Sequence, residues 1–142
     1  MKILRKIISF FRFTLRQKLL IIVVCFLAIY SFILFRFFKH AAKFKNIYKD
    51  VNNEKDFDKS FIKDIRLAIN VVGKYIFWEN VCRHQAYQAM ILFSFFNIPY
   101  QIFVGFKKNL NGQIEGHAWT VVNGEMITGF CKVEEYVVQN VY

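Results

Sequence analysis

Cys82 and His117 are the two residues whose types could together perform covalent chemistry in a chain that holds only 3 cysteines and 3 histidines. A thiolate can attack an acyl carbon while a nearby imidazole carries the proton. Cys25 falls in an apolar run, which leaves Cys82 and Cys131 with no Cys-x-x-Cys spacing; reduced thiols are expected rather than a disulfide framework. His84 follows Cys82 by two residues, which on a helix turns the two side chains roughly 200° apart. That offset argues against a zinc site built from Cys82, His84, His117 and Cys131, and neither metal nor any other cofactor is expected. His117 opens the stretch "HAWTVV", just ahead of Asn123-Gly124. A histidine entering a half-buried strand is usually a structural residue, so a catalytic role requires the fold to bring it to Cys82.

The elements that would do so can be read from periodicity. Ser60 is a candidate N-cap for a helix whose apolar stripe is Phe61, Ile65, Ala68, Ile69, Val72 and Ile76. Asn80 can cap a second helix through Phe96, with Val81, Ala86, Ala89, Met90 and Phe93 turned inward, Asn97 taking the left-handed exit and Pro99 preventing continuation. Cys82 then sits in the first turn, where unsatisfied N–H groups and the positive end of the dipole favour an anion and could receive a developing oxyanion. "YQIFVGF" alternates as a strand, "KKNLNGQ" reads as a loop, and "HAWTVV" and "EMITGF" flank Asn123-Gly124, a strong hairpin signal.

Charge divides the chain unevenly. Residues 1–49 hold eleven of the 20 lysines and arginines and no acid, while the remainder holds nine against all 10 acids. The C-terminal part therefore lacks the basic stripe that nucleic-acid binding needs, and no nucleic-acid partner is expected. The positive end surrounds "LLIIVVCFLAIYSFILF", about the length needed to span roughly 30 Å of hydrocarbon at 1.5 Å per residue. Ahead of it, Ile3, Leu4, Ile7, Ile8 and Phe11 interleave with basic residues, as in a helix lying on an anionic surface. Two readings stay open: a membrane helix, spanning or interfacial, and a long helix packed on protein. Bases flank the run on both sides, so topology is not assigned. The division expected is a basic, hydrophobic helical segment over residues 1–45 and a single domain over 46–142, joined through the polar "NIYKDVNNEKDFDKS". The domain is expected to keep its core when residues 1–45 are removed.

Taken in order, "WENVCRHQAYQAMIL", "IFVGF" and "GHAWTVVNGE" are similar to the transglutaminase-like B proteins of lasso peptide biosynthesis, which remove the leader from a precursor peptide. Trp78, Cys82, Val104-Gly105, His117-Ala118-Trp119 and Asn123-Gly124 carry the resemblance. It extends forward through an apolar helical segment flanked by basic residues. The resemblance implies an α+β fold, transglutaminase-like or papain-like, with the cysteine helix followed by antiparallel strands that carry the histidine. It implies a cysteine peptidase with Cys82 as nucleophile and His117 as base, and three partners: the precursor peptide, a separate leader-recognition protein and an ATP-dependent macrocyclase. The setting implied is the cytoplasm or the cytoplasmic side of the membrane. Trp78 and Trp119 become candidate walls of the substrate groove, although a tryptophan on a strand is more often core. One departure stands out. The family's third catalytic member is usually an Asp about a dozen residues after the His, where this chain has Gly129 between Thr128 and Phe130. Glu125 is the nearest acid, but it adjoins the turn; a backbone carbonyl or water could also orient the ring. Two alternatives follow, a different transglutaminase-like acyl transferase and a catalytically impaired membrane-associated adaptor of the same fold.

Overall fold

The computed structural model describes residues 12–38, 43–44 and 57–142. The amphipathic start at Ile3 to Phe11 and most of the polar linker lie outside the described residues. Among the described residues three α-helices and an antiparallel sheet make an α+β fold.

Helix α1 (Leu15–Phe37) is longer than its apolar run at both ends. Thr14 caps it: the hydroxyl accepts from Gln17 N while Gln17 Oε1 accepts from Thr14 N, a reciprocal capping box that satisfies two otherwise orphaned donors. By length and hydropathy this helix could cross a membrane. One stripe of it is nonetheless buried. Leu20, Ile21, Val24, Ala28 and Phe35 share a single core with the other two helices, and Ser31 is buried on the same stripe.

Helix α2 (Lys59–Tyr75) is capped by Asp58, whose Oδ1 accepts from Ser60 N, so the cap lies two residues before the expected Ser60. Its core face is Ile62, Ile65, Ala68, Ile69 and Val72; Phe61 and Ile76 are only partly buried. The first turns of α1 and α2 are joined by ions. Arg16 Nε donates to Asp64 Oδ2 at 2.7 Å and its NH2 to Ser60 Oγ at 2.8 Å, while Gln17 Nε2 donates to Asp64 Oδ1 at 2.7 Å. Asp64 is buried here, so these bonds replace the water it has lost.

Helix α3 (Cys82–Phe95) has Val81, not Asn80, at its N-cap, and Val81 is exposed rather than core-facing. Asn80 is used differently. Its Oδ1 accepts from Gln88 Nε2 at 2.8 Å, and the same Nε2 donates to Ser31 Oγ at 3.1 Å. One buried amide thus ties the segment before Cys82 to the middle of α1. The helix ends through Asn97, whose φ of 55° is the left-handed exit.

Strands β1 (Gln101–Lys108), β2 (Ile114–Val122), β3 (Glu125–Thr128) and β4 (Val137–Val141) form the sheet in the order β3-β2-β1-β4, every neighbour antiparallel. Asn123 and Gly124, at φ of 49° and 76°, make the two-residue turn between β2 and β3. Strand β4 has no counterpart in the sequence reading. It pairs with β1 across a shift at Val104/Gly105, and Tyr142 exchanges two main-chain bonds with Ile102.

Candidate active site

Cys82 is the first residue of α3, and the helix start is left open. Val81 supplies no side-chain cap and the first turn contains no acid. The N–H groups of the first two helical residues, Cys82 and Arg83, have no carbonyl four residues back to bond. His84 N and Gln85 N instead close onto Val81 O at 2.9 and 3.2 Å.

His117 stands in the middle of β2, opposite Gly105 on β1. A cleft of about 300 Å³ brings it together with Cys82; Phe44, Val81, Arg83, Val104, Gly116 and Ala118 complete the walls. Gly116 has nothing within 4 Å of where a Cβ would be, so the wall beside His117 is open. Cys82 is partly accessible.

The ring of His117 is held on three sides. Its Nε2 lies 2.9 Å from the carbonyl oxygen of Gly129, and because a carbonyl can only accept, Nε2 carries the proton. Nδ1 is then the nitrogen left to act as a base. Tyr136 stacks on the ring with centroids 5.2 Å apart, and Trp119 flanks it at 6.1 Å. The segment that delivers both Gly129 and Tyr136 is tied to β1 by Lys107, whose Nζ donates to Glu135 at 3.0 Å and lies 4.9 Å from the Tyr136 ring centroid. The same contact holds the Glu135 carboxyl below its ordinary range.

Gly129 can be nothing else on this backbone. Its φ is 67°, and a Cβ added there would collide with the carbonyl oxygen of Ala118 and stand 2.9 Å from Trp119 Cα. The position twelve residues after His117 thus offers its main chain to the imidazole instead of a side chain. Glu125 does not reach this place: it pairs with Val122 beside the turn and is exposed.

Neither tryptophan lines the cleft. Trp119 is 1 % exposed, stacked on Phe103 with centroids 5.5 Å and planes 7° apart, and supports His117 from behind. Trp78 is half-buried against the core and meets Phe77 edge-on at 5.0 Å. The sequence does not single out Phe44 or Tyr136; it marks Val104 only through the resemblance, and Gly129 only for the carboxylate it lacks.

His84 belongs to a different place. It is 2 % exposed, meets Phe35 edge-on at 5.0 Å, and borders a smaller cavity with Phe32, Arg36, Glu79 and Arg83. Burial first, then the charge of Arg83, pulls its pKa below the ordinary value. The Cys25 and Cys131 thiols are pushed up, in both cases chiefly by burial. Among the described residues no three of His, Cys, Asp and Glu gather as a metal site.

The arrangement can perform acyl transfer: a thiol at an uncapped helix start and a tautomerically fixed imidazole across one cleft. In comparison with known families, the model of the transglutaminase-like superfamily matches residues 31–140. No curated protein and no solved structure matches.

Proposed function

The chain belongs to the transglutaminase-like superfamily, a fold of the cysteine peptidase and acyltransferase type, and on that premise we propose that it is the leader peptidase of lasso peptide biosynthesis, cutting its precursor at the leader–core junction. The observation that carries the reading is the pairing of Cys82 and His117 across one cleft, with Nε2 of the imidazole bonded to Gly129 O.

The steps follow from those positions. Nδ1 of His117 takes the proton of Cys82 as Sγ attacks the scissile carbonyl carbon. The carbonyl electrons move to oxygen, and the N–H groups of Cys82 and Arg83 receive the oxyanion. His117 returns the proton to the departing amine, the C–N bond breaks, and a thioester remains on Cys82. Water, deprotonated by the same Nδ1, attacks the thioester and releases the leader with a free carboxylate. Throughout, Gly129 O stabilises the ring while it is cationic, as a neutral dipole rather than a charge.

A cleft of about 300 Å³ is at the lower limit of ligand pockets and admits only a few residues of a peptide. Such a small site supports dependence on a separate leader-recognition protein to hold the precursor, with an ATP-dependent macrocyclase acting on the released core.

The test is to incubate the purified protein with precursor and recognition protein and follow leader release by mass spectrometry. Cys82→Ala should abolish release, and His117→Ala should slow it by about 10²–10⁴-fold. Full activity in either variant excludes the mechanism.

A further inference from the structure

We propose that α1 lies in the plane of an anionic membrane surface, seated between the folded domain on one side and lipid on the other, and that it does not span the bilayer. This is independent of the chemistry at Cys82. At 23 residues and about 1.5 Å per residue the helix could cross roughly 30 Å of hydrocarbon, so length alone does not decide. Its contacts do.

Polar bonds hold it to the domain along its length. Arg16 and Gln17 bond Asp64 at one end, Ser31 accepts from Gln88 at the middle, and Arg83 lies 4.4 Å over the ring of Phe35 near the other end. A spanning orientation would either carry these partners into hydrocarbon or break every one of the bonds, and unsatisfied polar groups there are costly. A helix docked lengthwise on a folded domain cannot be perpendicular to the membrane that the domain rests on.

The opposite side of the helix is built for lipid. Leu15, Leu19, Ile22, Phe26, Ile33 and Phe37 are exposed, three of them by 69 % or more. At about 100° per residue they share an arc of roughly 60°, widening to about 120° with the other exposed apolar residues, and no charge falls within it. No described residue covers this arc. Charge selects the partner: the sequence of residues 1–49 holds eleven bases and no acid, and of the described residues Arg12 and Arg36 are exposed at the two ends of the helix. Exposed bases at both ends of an apolar face match anionic headgroups over acyl chains, into which such a helix sinks about 5–10 Å.

The experiment is flotation of the full-length protein with vesicles of phosphatidylcholine, with and without phosphatidylglycerol. Binding should require the anionic lipid and weaken as salt is raised. Phe26→Lys with Ile33→Lys should lower the partition coefficient by roughly tenfold or more, since each removes buried apolar area and adds a charge to the inserted face, while the thermal transition stays where it was. In sealed vesicles, Arg12→Cys and Phe38→Cys should both react with a membrane-impermeant maleimide added outside, read by peptide mass. Protection of one end alone would establish a spanning helix and overturn the proposal. So would undiminished binding of the double variant, or a wild-type dimer on size exclusion that the double variant abolishes, which would make a second copy the occupant.

Discussion

His117 donates from Nε2 to the main-chain oxygen of Gly129 at 2.9 Å, and this bond occupies the place where a catalytic carboxylate would act. The donor geometry leaves Nδ1 as the base without any acidic side chain. The backbone that makes the bond also forbids a replacement.

Gly129→Asp, designed to restore the missing carboxylate, is therefore expected to destroy the site. A residue with φ of 67° and a Cβ forced onto Ala118 O displaces the segment that carries the acceptor. Strain of this kind costs about 1–3 kcal/mol before the collision is relieved. Both Gly129→Ala and Gly129→Asp should lower the melting temperature and reduce the proposed leader release together. A Gly129→Asp variant with raised activity would show that the carbonyl is not the orienting group.

Thiol reactivity should be selective. Cys25 and Cys131 are pushed toward the protonated form by burial, whereas Cys82 opens into the cleft at the start of α3. Iodoacetamide at neutral pH should modify Cys82 first, with peptide mapping as the readout. Comparable labelling of Cys131 at early times would contradict the assignment of the nucleophile.

His84 should make the fold sensitive to acid. Its pKa is depressed in the folded protein by burial and Arg83, with Glu79 opposing, so the unfolded chain takes up the proton more readily. The stabilising contribution is fully present above the ordinary value of 6.5 and is lost as pH falls below it. The slope attributable to one such group approaches about 1.4 kcal/mol per pH unit. Urea unfolding at a series of pH values should show a shallower dependence for His84→Gln than for wild type; equal slopes would assign the acid sensitivity elsewhere.

Removal of residues 1–45 should cost the domain most of its stability. Leu20, Ile21, Val24 and Phe35 are each buried against the rest of the core, and each contributes about 1.5–3 kcal/mol. Together they amount to about 6 kcal/mol or more, comparable with the whole stability of a typical domain. The sequence favoured survival of the truncated domain because its periodic stripes begin after the linker. A cooperative thermal transition in the truncated protein would show that α2, α3 and the sheet suffice.

Local rules made several of these elements legible. The stripe from Ile65 to Val72, the Asn97 exit before Pro99 and the Asn123-Gly124 turn each follow from a few neighbouring residues. Caps were less so, because Asp58 and Ser60 both suit an N-terminus and only the chain path decides between them. Strand β4 was missed: its Val137-Val138 run lacks a turn signal to mark its pairing with β1, which is set by contacts more than thirty residues away. The two halves of α1 show the same limit. Its apolar residues are evenly distributed around the helix, so no stripe distinguished the face that packs on α2 and α3 from the face that does not.

Gly129 O has a consequence for how such chains are sorted into working and defunct enzymes. A roll of required side chains marks this one as lacking a third member, yet every amino acid brings a carbonyl, and what matters is where the main chain runs. The orienting function here is encoded by a loop trajectory, which a residue-by-residue checklist is blind to. Such an orienting group would survive substitutions that leave that trajectory intact and would depend instead on contacts such as those of Tyr136 with His117 and Lys107 with Glu135, which involve no missing carboxylate at all.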